Sequence, residues 1–435
     1  MGMRINNTLE LNLEKGEPAL VPPAEDTNQK GTLYFLSNID HRYQVRIRTV
    51  YCFKPSHDDR DGSGDDVTEV IRDALSKVLV PYYPVAGRLT TDSDGRLAVD
   101  CNDKGAVFVV AKAGCTVEEI GDDTVTMEKL VYDVPAAKHI LDVPPLAVQV
   151  TKFKDGGFVL GICVNHMIFD GPTAMEFINS WGEIARGLSL KVPPFTDRTL
   201  LKARNPPEIE FDHPEFLQME DISNTSDLYE EELLYKSFCF DVNKLERVKA
   251  KAMEDGVLVK CCSTFEAMSG FIWKSRTQAL KLKHDQKTKL LLVVDGRSRY
   301  DPPLPGNYFG NGVGLTSCIC SAGELTEKPV SFAVRLVQEA IQMVTDRYLR
   351  SAIDYLEVTR ANPSMTLTVL ISTWTRLSFD STDFGWGQPF LAGRASLPGK
   401  ETALFLSHPK EKKSINVIVS FPASSMKIFE DAIDI

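Results

Sequence analysis

The sequence predicts an α/β protein of two domains, and three observations lead there. Short apolar runs bounded by turn residues alternate with amphipathic helical stretches along nearly the whole chain. At 435 residues the chain exceeds what one hydrophobic core usually supports. A proline-rich, aperiodic stretch at 191–232 separates two halves of similar character. The expected division is therefore an N-terminal domain over 1–190, a crossover over 191–232 and a C-terminal domain over 233–435.

The elements follow in order. Residues 45–53 alternate as a strand does, with Val45, Ile47, Thr49, Tyr51 and Phe53 on one face. Residues 66–79 form an amphipathic helix with Val70, Ile71, Ala74, Leu75, Val78 and Leu79 as its stripe. It stops before Pro81, and Pro84 and Gly87 mark the following turn. The apolar run 158–164 reads as a buried strand, and Pro172 opens a helix with Ala174, Ile178, Trp181 and Ala185 on one side. In the crossover, Pro193-Pro194, Pro206-Pro207 and an acidic stretch at 213–221 leave no sustained period; a mobile lid is the alternative reading. The second half carries a strand at 234–240, a helix at 264–279 and a strand at 289–294. One long helix is expected over 329–348, its stripe made by Phe332, Leu336, Val337, Ala340, Ile341 and Val344. Strands at 367–375, 401–406 and 415–419 complete the chain.

Composition narrows the function. A hydrophobic fraction of 43% with 25% charged residues is that of an ordinary globular protein. The net charge of −11 excludes a nucleic-acid surface, which needs clustered Lys and Arg. Nine cysteines without C-x-x-C spacing read as reduced, mostly buried thiols, and the expected compartment is the cytosol. No apolar run reaches the ~18 residues of a membrane span, and residues 1–7 show neither a signal peptide nor, given Asn6, a myristoylation pattern. No G-x-S-x-G or H-E-x-x-H is present, so neither a serine hydrolase elbow nor a metal site is expected.

The motif that carries chemistry is His166-Met167-Ile168-Phe169-Asp170-Gly171, directly after the 158–164 strand. A histidine at a strand end, on a short loop before a helix, is held rigidly where a general base is useful. A second motif, Asp383-Phe384-Gly385-Trp386-Gly387, holds two glycines around a scarce tryptophan and suggests a tight, shape-critical turn. Its first three letters are also the kinase metal-binding tripeptide, but the H-R-D and glycine-rich loops are absent.

Paired in this way, H-x-x-x-D-G and D-F-G-W-G make the chain resemble the plant BAHD acyltransferases over essentially its whole length. Residues 83–89, 263–267, 294–299 and 306–311 support the resemblance. Within the family, the chain looks most similar to the transferases that esterify ω-hydroxy fatty acids and fatty alcohols with hydroxycinnamoyl groups. The resemblance implies two chloramphenicol-acetyltransferase-like domains with mixed sheets flanked by helices, and an active-site channel between them. It implies a CoA thioester as co-substrate, an alcohol acceptor, no permanently bound cofactor and a monomer. His166 would be the base, acting without an acyl-enzyme, and Trp374 would help to polarise the reacting groups. Asp170 would turn away to pair with Arg297, or failing that Arg299. Asp383, Gly385, Trp386 and Gly387 would be architectural.

Ser263, Thr264 and Arg297 are candidate CoA ligands, although the first two read equally well as a helix cap. Lys274, Arg276, Arg297 and Arg299 are candidates for the basic patch that a polyanionic donor needs on an acidic protein, or else surface charges. Ile47, Thr49, Tyr51, Ser372 and Thr373 would line the substrate pocket. The shikimate-ester relatives carry a basic handle before the last of these segments; here that connection is short, and Arg360 is its only cation. This departure favours a long apolar alcohol over shikimate or quinate. The competing readings are a transferase for another alcohol or amine, a condensation-like domain, whose usual preceding histidine is Asn165 here, and a non-catalytic homologue kept for binding.

Overall fold

The computed structural model describes residues 11–55, 66–121, 124–134, 139–256, 261–396, 399–408, 411 and 413–435. Residues 1–10, which include the 1–7 stretch read for targeting signals, lie outside that set.

The period-2 pattern at 45–53 becomes the Arg46–Phe53 strand, antiparallel to Phe158–Asn165 with Thr49 opposite Ile162. These two lie in a mixed seven-stranded sheet, whose order continues through Leu146–Phe153 and Ala106–Ala113. Leu146–Phe153 escaped the sequence reading because Gln149 and Thr151 interrupt its apolar run. Both are buried; Gln149 Nε2 donates to the Thr151 hydroxyl (2.9 Å) and the Lys129 carbonyl (3.3 Å), which offsets part of the cost of burying them. Helices Val67–Val78 and Gly171–Ala185 cover this sheet, and Trp181 donates from Nε1 to the Ile71 carbonyl (3.0 Å). Asp66 caps the first helix, as the sequence pattern suggests.

The second sheet has six strands, in the order Leu233–Phe240, Ile415–Pro422, Thr402–Ser407, Thr368–Thr373, Lys287–Asp295 and Val313–Ser321. Helices Thr264–Ala279, Val330–Met343 and Ala423–Ile433 pack their apolar sides into its core. The single helix expected over 329–348 is two. Val344 leaves the helical conformation (ψ 83°), and Thr345 caps a new helix, Asp346–Thr359, by accepting the Tyr348 N–H. No glycine or proline marks the break, so only the capping threonine could have announced it. The buried stripe is also rotated, to Ala333, Val334, Val337 and Ala340.

Two connections join the halves. After Thr373 the chain leaves the second sheet, and Leu391–Arg394 pairs antiparallel with Arg46–Phe53 at the edge of the first, Arg394 opposite Thr49. The crossover is the other, and despite its lack of regular structure it is pinned along its length. Arg204 pairs with Asp354 (2.6 Å), and buried His213 sits between Glu215 (2.8 Å) and Ser351 (2.9 Å). Arg198 is wholly buried against Asp40 at 3.1 Å. It also donates to the carbonyls of Phe309 (3.0 Å), Met167 (2.9 Å) and Ile168 (2.6 Å). Burial alone would lower the Arg198 pKa; the charge and hydrogen bond of Asp40, with Tyr34 and Tyr308, together outweigh that and raise it.

Removing one partner of such a pair strands a buried charge. We expect Arg198→Met to lower stability by about 3–5 kcal/mol, seen as an earlier midpoint in urea. Adding Asp40→Asn should recover part of that loss. A single mutant that melts like the wild type contradicts the clamp.

Candidate active site

His166 follows the last residue of the Phe158–Asn165 strand, and its backbone N–H is held by the Val45 carbonyl (2.9 Å). Its ring stacks on Tyr43, with centroids 4.6 Å apart and planes 15° off parallel. Nδ1 is buried without a hydrogen-bond partner, which leaves Nε2 as the nitrogen able to meet a substrate. Burial is the main cause that lowers the ring's pKa from its ordinary 6.5; the charge of Asp170 opposes this and that of Arg394 adds to it. The ring is therefore neutral at neutral pH and can accept a proton.

Asp170 faces away from that ring. Its Oδ1 caps the Gly171–Ala185 helix by accepting from the Thr173 N–H (3.1 Å) and hydroxyl (2.8 Å). Its Oδ2 accepts from the Gly312 N–H (3.0 Å) and lies 2.8 Å from Arg297. Arg297 reaches on to Thr173 and to the Gly310 carbonyl, both at 3.0 Å, and to Asp295 (3.3 Å). Burial would lower the Arg297 pKa, but the charges of Asp170 and Asp295 outweigh it and raise it. These contacts occupy the guanidinium, so Arg297 serves the loop and is not free to meet an anionic donor. Gly171 lies close under the turn after Trp374: a Cβ there would sit 2.9 Å from the tip of Leu377, whose side chain would have to shift.

Trp374 stacks on Phe379 (5.8 Å), and the Arg394 guanidinium lies over its indole (5.5 Å). Thr373 shares a hydrogen bond with Thr375 (2.9 Å), and Ser372 is half-buried beside it. Of the strand residues, Ile47 and Thr49 line the face shared with Arg394. Tyr51 is fully buried in the first core, its hydroxyl 3.6 Å from the Met175 sulfur, and its place is in the packing beneath the pocket.

The candidate CoA ligands sit elsewhere in purpose. Ser263 forms a reciprocal cap with Glu266 at the start of the Thr264–Ala279 helix. The expected basic patch does not form. Lys274 donates to the Leu325, Thr326 and Lys328 carbonyls at a helix end, and Arg299 to Ile341 and Val344 at another. Arg276 is buried against Glu401 (2.5 Å).

The Asp383–Gly387 turn plugs into the first core. Asp383 accepts the N–H groups of Gly385 (2.8 Å) and Gly387 (3.0 Å), whose φ values of 107° and 77° suit glycine. Phe384 packs edge-on to Trp181 and Phe53, and Trp386 edge-on to Phe158.

Sequence reasoning missed Tyr43, Asp40, Arg198, Asn311 and Arg394. Asn311 lay in a stretch already singled out; its side chain donates to the His166 carbonyl (2.9 Å) and to Asp40 (2.8 Å). The other four carry no local signal. Among the described residues, Cys239, His408 and Glu411 bring possible metal-ligand atoms within 4.8 Å of one another, and none of the three belongs to this loop. All nine cysteines are free, with Cys239 and Cys261 exposed.

A family model described as the Transferase family matches residues 11–434. The chain is 56% identical to omega-hydroxypalmitate O-feruloyl transferase of Arabidopsis thaliana, covering 97% of this chain and 93% of that one. It is 51% identical to the fatty alcohol:caffeoyl-CoA acyltransferase of the same plant, covering 99% and 100%. Among solved structures, vinorine synthase superimposes with a TM-score of 0.75 at 24% identity, covering 96% of each chain, and shows the same fold.

Two measurements check the site. The His166 ring, followed by NMR, should titrate below 6.5. Asp170→Asn should lose thermal stability and soluble yield, and the ring should titrate lower still once the opposing charge is gone. A well-folded variant with a shifted histidine alone contradicts the structural role of Asp170.

Proposed function

Because the chain belongs to the Transferase family, the BAHD acyl-CoA-dependent acyltransferases, we propose that it moves a hydroxycinnamoyl group, most readily feruloyl, from CoA to an ω-hydroxy fatty acid or a primary fatty alcohol. One observation carries the chemistry. An imidazole with lowered pKa stands on a braced loop, with one nitrogen buried and the other left for substrate.

An alcohol is far too weak an acid to ionise near neutral pH, so its proton must leave as it attacks. Nε2 of His166 takes that proton while the acceptor oxygen bonds to the thioester carbonyl carbon. The tetrahedral intermediate then collapses, the C–S bond breaks, and the CoA thiolate receives the proton from the imidazolium. No acyl-enzyme is needed. Preset orientation of base and acceptor adds to the rate, which is the use of holding the loop still. Trp374 in this reading directs its indole N–H toward the reacting oxygens.

The acceptor side supports an apolar substrate. Arg42 donates to the carbonyls of Arg360 (2.9 Å) and Ala361 and to the Asn362 side chain (2.8 Å), which ties down the short connection where a carboxylate handle would stand. A small cavity of about 30 Å³ beside Tyr43 is lined mainly by apolar residues, Ile39, Val313, Leu315 and Leu349 among them, together with Arg42 and Glu215. We propose that the protein works as a monomer in the cytosol, in keeping with the fact that no helix among the described residues is long and apolar enough to cross a membrane.

Thiol release from feruloyl-CoA should proceed with 16-hydroxyhexadecanoate or hexadecan-1-ol and not with shikimate; activity on small polar acceptors alone removes the substrate assignment. His166→Ala should lose about 10²–10⁴-fold in kcat, and retained ester formation contradicts the mechanism. A base with lowered pKa is competent above that pKa. Rates should therefore fall on the acid side with a midpoint below 6.5, and be level above neutrality.

A further inference from the structure

Arg394 ends the strand that the second half lends to the first sheet, directly opposite Thr49. Opposed residues of an antiparallel pair share a face, so its side chain stands with Thr49 and Ile47 on the substrate side. The guanidinium is fixed from two directions. Nε donates to the Ser396 carbonyl (2.9 Å) and hydroxyl (3.3 Å), and the plane lies over the Trp374 ring at 5.5 Å. Both Nη groups are left over, and among the described residues no carboxylate pairs with them. Burial, with the charge of another cation, Arg48, as the smaller cause, pushes the Arg394 pKa down to about 10, which still leaves it protonated at neutral pH. A half-buried guanidinium without a counter-charge is costly unless something polar comes to it.

We propose that Arg394 is a donor-specificity residue. Its free Nη fork receives the ring oxygens of the acyl group, so hydroxylated or methoxylated cinnamoyl thioesters are preferred to unsubstituted ones. This rests on the reading that the donor is a hydroxycinnamoyl thioester. Length decides between the anionic or polar groups that the fork could take. Arg394 is close enough to His166 for its charge to act on that ring. In a sixteen-carbon ω-hydroxy acid the whole chain separates the carboxylate from the reacting hydroxyl, so that carboxylate ends far away. In a hydroxycinnamoyl group only a vinyl link and one ring separate the aryl oxygens from the reacting carbonyl. The ring itself then lies along Trp374 and the strand face of Ile47 and Thr49.

The test compares feruloyl-CoA with cinnamoyl-CoA in the wild type, Arg394→Met and Arg394→Lys. Arg394→Met should lose about 10- to 100-fold in kcat/KM for feruloyl-CoA and less than about threefold for cinnamoyl-CoA, the size of a lost charge-assisted hydrogen bond. Arg394→Lys should restore part of the difference. Equal loss for both donors, or an unchanged ratio, overturns the proposal. So does a selective loss with 16-hydroxyhexadecanoate relative to hexadecan-1-ol, which would assign the arginine to the acceptor carboxylate. If Arg394→Met does not fold, Arg394→Gln, which removes the charge and shortens the side chain, carries the same comparison. Calorimetric binding of the two thioesters without acceptor separates the readings. A wild type that binds feruloyl-CoA but serves no fatty acceptor sinks only the acceptor assignment. One that binds no feruloyl-CoA sinks the donor assignment and this proposal with it.

Discussion

Val45 and Thr173 tie the loop over 166–170 to its own half, but its carbonyls are gripped by groups from outside that half. Arg198 of the crossover holds the Met167 and Ile168 carbonyls, Asn311 holds that of His166, and Arg297 with the Gly312 N–H holds the Asp170 carboxylate. Asp40 closes the set by neutralising Arg198 and accepting from Asn311. The Arg198 and Arg297 charges each have an opposite charge, and the loop carbonyls have donors, so the network rigidifies, with Asn311 Oδ1 and His166 Nδ1 the buried atoms left without a partner. A base positioned this way needs no reordering when substrates arrive, because the ordering was done in folding. The site accordingly exists only when the halves are docked.

Much of this was legible locally. The strand at 46–53, the helices at 67–78 and 264–279 and the loop after 165 declare themselves through period, caps and turn residues. The pairing of Asp170 with an arginine of the D-x-R-x-R stretch was suggested by resemblance, and the geometry has Asp170 and Arg297 in contact. What local pattern cannot carry is partnership across the chain. Asp40 and Arg198 lie 158 positions apart in numbering, and nothing near either residue marks it as buried. The same blindness misassigned Lys274, Arg276 and Arg299. From sequence, a lysine or arginine near a motif looks available to a phosphate. In the fold two of these satisfy the open carbonyls at helix ends, and the third neutralises Glu401.

The split helix and the overlooked Leu146–Phe153 strand share one cause. Both depart from a clean hydrophobic period because neighbours supply what the local sequence lacks: a capping hydroxyl in one case, a Gln149–Thr151 hydrogen bond in the other. Tyr51 is a different lesson. Its period-2 placement with Ile47 and Thr49 is real, but burial changes along the strand, and Tyr51 lies wholly in the core.

The borrowed strand at 391–394 bears on how this protein can be recombined. The wall beside Thr49 is made by residues that follow the second sheet's Thr373 in the chain, with the Asp383–Gly387 turn buried among Phe53, Phe158 and Trp181 on the way. A chimera joined to a relative at the crossover would thus unite one parent's sheet with the other parent's edge and plug. Donor preference should travel with the C-terminal parent, although the histidine comes from the N-terminal one. Exchanging 374–396 as a cassette is the more faithful unit of inheritance for the pocket.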